Sequence, residues 1–328
     1  MLTDAEITEI LSHYTLGTLL ACRALTQGSV QTNLLLDTTK GKFVLRYYRQ
    51  NRSLQAVQFE VNLIAYLKRH GYPCAAVLKN RAGKLAGETN GKPYALFEFL
   101  EGSHIEHPTA MQQQQLIEQV AELHKVTRNY RPTFAPFRWN YGVALCQRLS
   151  AEIAESIGAE VGAEIGTANA QAKLHWYRQE LSQLTLPRSL PKGVCHADFH
   201  FSNVLFKDGN FHALIDFDDA NYTYLTYDLA ALIEPFIPTF RWDTWSNFSP
   251  DANLFDFADA RRIVASYQQH RPLNPTEKRY FFDVYKLGVF LDCLRYFKRG
   301  EVEDFYERRK IEALNRLGRE QFYAELFG

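Results

Sequence analysis

Two short apolar runs, Val204–Phe206 and Phe211–Ile215, flank the tetrapeptide Lys207-Asp-Gly-Asn210. An Asp-Gly pair between apolar runs signals a tight hairpin, because both turn residues tolerate positive φ. This hairpin constrains the chain on either side of it. Its open end brings Asn203, just before the first arm, beside Asp216, just after the second. An amide oxygen and a carboxylate held together are hard ligands of the kind Mg2+ takes along with phosphate oxygens and water.

The residues leading into the hairpin read Val194-Cys-His-Ala-Asp-Phe-His-Phe-Ser-Asn203. Asp198 lies five residues before Asn203, and Asp216 thirteen after it. That is the spacing of a phosphoryl-transfer loop, H-R-D-x-x-x-x-N, with Ala197 in place of arginine. Such chemistry needs an acceptor for the hydroxyl proton, a metal on the β/γ oxygens, and alignment. Asp198 is predicted to be the catalytic proton acceptor, Asn203 and Asp216 the metal ligands, and His196 a structural support of the loop. A cation on the ATP phosphates is also needed, usually held by a helix glutamate. Arg46 in the strand-like Lys42–Tyr48 and Glu60 in the following helix are predicted to form that pair. Glu60 shares an apolar helix face with Val57, Leu63, Ile64 and Leu67, and a carboxylate there is costly unless paired. Gln27-Gly28-Ser29 is read either as a turn over the phosphates or as a plain loop. Asp218 and Asp219 follow the metal aspartate directly. They are read as substrate contacts favouring a cationic acceptor, against the alternative of a solvated acidic turn.

The 328 residues are enough for two domains or lobes. Residues 2–13 predict a short helix, and Asn33–Asp37 and Lys42–Tyr48 predict strands joined at Thr38–Gly41. Ser53 predicts the cap of a helix ending near Gly71 and Pro73, and Val77–Asn80 and Tyr94–Leu100 predict a further strand pair. From Thr109 onward the spacing is mostly helical, with residues 151–170 read as a frayed helix or loop insertion. The predicted fold is α+β: a β-rich nucleotide-binding lobe over 1–101 and an α-rich catalytic and substrate-binding lobe over 102–328. Lys plus Arg equals Asp plus Glu at 37 each, which argues against a general nucleic-acid or membrane-surface partner. Five scattered cysteines, an acidic N-terminus and the lack of a long apolar run predict a cytoplasmic protein with reduced thiols.

His196-x-Asp198-x-x-x-x-Asn203, Ile215-Asp-Phe217 and Tyr227-Asp-Leu-Ala230 together resemble the aminoglycoside-phosphotransferase-like kinases. The first lobe is most similar to bacterial homoserine kinases of this fold. The similarity lies in Gly28-Ser-Val-Gln-Thr-Asn33, Gly41-Lys-Phe-Val-Leu45, His70-Gly-Tyr-Pro73 and Leu96-Phe-Glu-Phe-Leu-Glu-Gly102. The resemblance implies a two-lobed protein-kinase-like fold, ATP and Mg2+ as cofactors, and a small-molecule hydroxyl as acceptor. It implies that the backbone from Glu98 to Leu100 is the adenine hinge, and that Asp228 braces the catalytic loop. Arg46 stands where many relatives carry lysine, and presents a planar fork instead of a point charge.

The acceptor expected first is an amino alcohol or amino acid such as homoserine; choline, ethanolamine, methylthioribose and aminoglycosides are alternatives. A protein kinase is excluded, because only eleven residues separate Asp216 from Asp228 and no A-P-E follows. Two readings from other classes stand beside these. One is a metal-dependent hydrolase built on His196-x-Asp198-x-His200, and the other a nucleotide-binding module without catalysis. The oligomeric state is not legible.

Overall fold

The computed structural model describes residues 2–25, 31–48, 52–158, 161, 166–199, 201–233, 255, 257–299 and 306–328. In chain order the first elements are α1 (Asp4–Ser12), β1 (Leu19–Ala24), β2 (Thr32–Thr38), β3 (Gly41–Tyr47), α2 (Leu54–Arg69), β4 (Gly87–Thr89) and β5 (Lys92–Glu98). There follow α3 (Ala110–Val126), α4 (Val143–Ser156), α5 (Thr167–Ser182), β6 (Lys192–Cys195), β7 (Val204–Lys207), β8 (Asn210–Leu214) and β9 (Asn221–Tyr224). The last are α6 (Thr226–Ile233), α7 (Phe257–His270), α8 (Pro275–Arg279), α9 (Phe281–Lys298) and α10 (Tyr306–Phe327). They divide into two compact units. One comprises Met1–Glu106, Asn129–Arg138 and His200–Ala220; the other His107–Arg128, Trp139–Phe199 and Asn221–Gly328. The boundary drawn at residue 101 runs along the chain, whereas these units exchange segments across it.

In the first unit, five antiparallel strands run in the order β1-β2-β3-β5-β4. Leu34, Leu36, Leu45, Tyr47, Tyr94 and Leu96 pack with Ile7, Ile10 and Leu11 of α1 in one cluster. Alternation along a strand then sends their neighbours Asn33, Val44, Arg46 and Ala95 to the opposite face. Asn33, Arg46 and Ala95 are direct cross-strand partners there. Helix α2 starts at the predicted cap, where Ser53 Oγ accepts from Ala56 N, and the chain turns at Gly71 with φ 77°. Val77–Asn80 is not a regular strand, yet it pairs with the end of β5 as predicted: Val77 bridges Phe97, Leu78 N donates to Leu96 O at 2.8 Å, and Glu98 N donates to Ala76 O at 2.9 Å. The start of β5, Lys92–Tyr94, pairs with the short β4. Strand β1 escaped sequence reading because its exposure does not alternate.

The predicted hairpin is β7–β8, with Asp208 (φ 51°) and Gly209 (φ 76°) at the turn. Phe206 and Ser103 exchange two backbone hydrogen bonds of 2.9 Å, and Leu214 N donates to Pro73 O at 2.9 Å. These tie the hairpin to the sheet-bearing unit despite the hundred or so residues between them.

The second unit is helical apart from the antiparallel pair β6–β9. Helix α9 is its most buried helix and packs against α4, α6 and α10. The charges it buries are paired, as the low dielectric demands. Asp283 accepts from Arg319 and from Thr185 N, and Lys286 donates to Glu180 and Asn315. Among the described residues no helix is long and apolar enough to cross a membrane. Cys74, Cys146, Cys195 and Cys293 are buried free thiols, and Cys22 is a half-buried one.

Candidate active site

In the first unit, Arg46 reaches across from β3 to α2. Its Nη1 lies 3.1 Å from Glu60 Oε1 and 2.9 Å from Asp216 Oδ1, while Nε donates to Asn33 Oδ1 at 3.1 Å. A lysine has one nitrogen for these tasks; the guanidinium meets all three acceptors from a fixed fork. Glu60 is 1% exposed, and its second oxygen accepts from Tyr48 Oη at 3.0 Å. Burial pushes the Glu60 carboxyl up to about 7 against the lowering pull of Arg46, and Asp218 raises it further.

Asp216 leaves β8 in the left-handed region (φ 61°, ψ 67°), a conformation that aspartate tolerates better than most residues. The next three residues, Phe217–Asp219, form one 3-10 turn whose Asp218 N donates back to Asp216 Oδ1. Ile215 N donates to Asn203 O at 2.9 Å, which closes the open end of the hairpin and joins Asn203 to the strand leading into Asp216. The Asp216 side chain is 37% exposed. An amide oxygen and a carboxylate brought together on one hairpin fit a hard divalent cation.

Asp218 and Asp219 differ from one another. Asp218 is 14% exposed and its Oδ2 accepts from Arg52 Nη2 and Gln31 Nε2, each at 3.2 Å. Among the described residues only this one carboxylate oxygen is engaged, and Arg52 also faces Asp219. Asp219 is 44% exposed, with Arg52 at 3.8 Å. Arg52, Gln31 and Arg138 escaped sequence reading, since their partners lie far along the chain; Asn33 and Tyr48 escaped it although Arg46 and Glu60 are only 13 and 12 residues away. Only the position of Arg52 next to the α2 cap hinted at it.

Glu98 ends β5, where Phe43–Glu98 is the last pair of the ladder. Its side chain accepts from Lys68 Nζ at 2.6 Å and Ala76 N at 2.7 Å, fixing the strand end from which residues 99 and 100 depart. Leu100 lies beyond the ladder. Gly28, Ser29 and His200 lie outside the described residues.

In the second unit, Asp228 sits in the first turn of α6, fully buried. Oδ2 accepts from His196 N and Oδ1 from Ala197 N, both at 2.9 Å. Oδ2 also lies 2.9 Å from His124 Nε2, whose Nδ1 meets Tyr267 Oη at 2.6 Å. Ala197 adopts φ 64°, a strained value for a residue with a Cβ, and it stands directly before Asp198. Two fixed N–H donors on one carboxylate hold that strain in place. His124 could have been flagged: it occupies a core position on the face of α3 formed by Ile117, Val120 and Ala121. His124, Cys195 and Asp228 are close enough to hold a metal ion, yet each donor is already engaged, Cys195 Sγ with Tyr224 O. Burial also pushes the Cys195 thiol up, away from the thiolate form.

The phosphotransferase enzyme family model matches residues 21–273. The chain belongs to this family. Homoserine kinase of Caulobacter sp. (strain K31) is 32% identical over 278 residues, covering 84% of this chain and 80% of its own length. Homoserine kinase of Methylobacterium radiotolerans is 30% identical, covering 84% and 79%. An amicoumacin kinase in complex with AMP-PNP, Ca2+ and Ami superposes with TM-score 0.64 at 17% identity, over 99% of this chain and 94% of that one. A microcompartment-associated aminopropanol kinase gives TM-score 0.64 at 18% identity, over 98% of both chains. This phosphotransferase is thus a small-molecule kinase with a kinase-like α+β fold, as its loop spacing predicts.

Proposed function

We propose that this phosphotransferase moves the γ-phosphate of ATP, with Mg2+, to the hydroxyl of a small amino acid or amino alcohol of the homoserine type. The observation that carries the reading is the Arg46–Glu60–Asp216 cluster: a phosphate-binding cation, its helix carboxylate and a metal carboxylate, linked within 3.1 Å. The names of the curated relatives support homoserine, and the aminopropanol kinase supports an amino alcohol.

Asn203 and Asp216 would hold Mg2+, which when bound neutralises charge on the β/γ oxygens. Arg46, kept in place by Glu60 and Asn33, would bind the ATP phosphates. The backbone from Glu98 to Leu100, free of the ladder beyond Glu98, would meet the adenine edge, with Gly28 and Ser29 over the phosphates. Asp198 would take the proton from the acceptor hydroxyl as the new O–P bond forms and ADP leaves. His196 and Asp228 keep the loop before Asp198 in its left-handed turn. Asp219, more exposed than Asp218, is the carboxylate suited to the acceptor's ammonium group.

The test is ATP consumption with Mg2+ against homoserine, aminopropanol, choline, ethanolamine, methylthioribose and aminoglycosides. Homoserine or aminopropanol should support the highest kcat/KM. A clear preference for an aminoglycoside or a quaternary amine would sink the acceptor class. No acceptor-dependent turnover on any of them, with ATP bound, would favour the nucleotide-binding module.

A further inference from the structure

Arg138 is the last residue before the chain passes into the second unit. It is 6% exposed. Its Nε donates to Ala220 O at 2.9 Å, Nη1 to Ala56 O at 3.4 Å, and Nη2 to Asp218 O. The guanidinium carbon lies 5.2 Å from the ring centre of Phe59. Ala56 and Phe59 belong to α2, which carries Glu60; Asp218 and Ala220 belong to the turn that follows Asp216. One side chain thus spans the helix holding the phosphate-clamp glutamate and the turn holding the metal carboxylate.

Burying a cation is expensive, and an apolar side chain of similar volume fills such a place at lower cost. Among the described residues its direct acceptors are three carbonyl oxygens and no carboxylate, so Glu60, Asp218 and Asp219 offset the burial only from a greater distance. What a guanidinium alone supplies is a rigid fork that fixes carbonyls from two elements in one plane. Other contacts hold the turn as well: Asp218 Oδ2 accepts from Arg52 and Gln31 at 3.2 Å, and Ala220 N donates to Phe217 O at 3.1 Å, but none of these reaches α2. Asp218 O also accepts from Arg52 Nη2, at a longer 3.4 Å, and Asp218 N reaches Asp216 Oδ1 at 3.4 Å.

We propose that Arg138 is a positioning residue for the metal carboxylate: by pinning the 218–220 turn to α2, it sets where Asp216 stands relative to Arg46 and Glu60. The proposal rests on the reading of Asp216 as a metal ligand. It separates two properties that a packing role would move together. Nucleotide binding without metal depends on Arg46 and the hinge, whereas the metal requirement depends on the turn.

The experiment is calorimetric titration of AMP-PNP into wild type, Arg138→Met, Arg138→Lys and Asp216→Ala, in EDTA and across a Mg2+ series, with melting temperatures recorded alongside. Loss of a group that orients a metal ligand typically weakens metal affinity about tenfold to a hundredfold, so Arg138→Met should raise the Mg2+ half-saturation by that factor. Arg138→Lys, with charge but no fork, should show a smaller rise in the same direction. AMP-PNP affinity in EDTA should stay near wild type for both. A lowered melting temperature with Mg2+ half-saturation unchanged would make Arg138 a core residue and overturn the proposal. So would an equal loss of affinity with and without metal, or failure of both variants to fold. A wild type indifferent to Mg2+, with Asp216→Ala identical to it, would instead overturn the metal reading of Asp216 and the proposal with it.

Discussion

Arg46 Nη1 is shared by two carboxylates of unequal exposure, Glu60 at 1% and Asp216 at 37%. Glu60 is caught between burial, which favours its neutral form, and Arg46, which favours its charged form; burial wins and raises it to about 7. The folded protein then retains a proton on Glu60 at pH values where the unfolded chain, near 4.5, has released it. Unfolding is favoured as pH rises, so this contribution to stability is present below about 4.5 and lost through about 7. In Glu60→Gln that part of the pH dependence should vanish, which melting curves from pH 4 to 8, about that window, would reveal. An unchanged slope would mean that Arg46 keeps Glu60 charged throughout. The two aspartates proposed for chemistry should also separate. Asp198→Asn should lower kcat by about 10²–10⁴ with ATP binding retained, since it removes only a proton acceptor. Asp216→Ala should weaken Mg2+-ATP binding as well as turnover. Steady-state kinetics with calorimetry checks both, and parallel losses in the two variants would refute the division of roles.

At the scale of elements, the loop before Asp198 is held from α6, not by its own sequence. Ala197 would leave φ 64° unless something compensated, and the compensation is the Asp228 carboxylate receiving two consecutive backbone N–H groups. Asp228→Asn keeps the shape but turns one acceptor oxygen into a donor facing a donor. A lost bond of this buried, charge-assisted kind costs about 1–3 kcal/mol, and the loop should relax. The expected result is a moderate fall in melting temperature and a large fall in kcat, with little change in the KM for ATP. A variant with full kcat would mean that Asp228 merely caps α6. Helix α2 shows the same dependence from the other side: its cap is local, at Ser53, but the Glu60 carboxylate is held by Arg46 and Tyr48.

For the whole molecule, the regrouping of segments has a consequence for folding. The sheet-bearing unit includes Asn129–Arg138 and His200–Ala220, so residues 1–106 by themselves lack Arg138 beside Phe59 and the hairpin paired with Ser103 and Pro73. Removing these exposes apolar surface and leaves backbone donors and acceptors unpaired, each a loss of about 1–3 kcal/mol against a net stability of about 5–15 kcal/mol. A fragment of residues 1–106 should therefore show no cooperative melt by circular dichroism. A sharp transition would make the first 106 residues an independent domain.

Local chemistry made much of this kinase legible in its residues alone. Asp208-Gly209 specified a turn, the turn specified a hairpin, and the hairpin placed Asn203 near Asp216, each step acting over fewer than twenty residues or so. The Ser53 cap, the Gly71 stop and the apolar face around Glu60 were legible for the same reason, and the family motifs are contiguous stretches. Tertiary structure decided the remainder. It added β4 to the start of β5, while the segment at Val77 kept a bridge to its end, because edge pairing is settled by which backbone lies within reach. It turned Asp218 Oδ2 toward Arg52 and Gln31 and buried that side chain, so that of the two adjacent acids Asp219 is the more exposed. It also brought Arg138 to carbonyls about eighty residues away in both directions. A charge seen in a sequence carries no record of its partner; hydrogen-bond geometry and desolvation choose that partner only once the chain is folded.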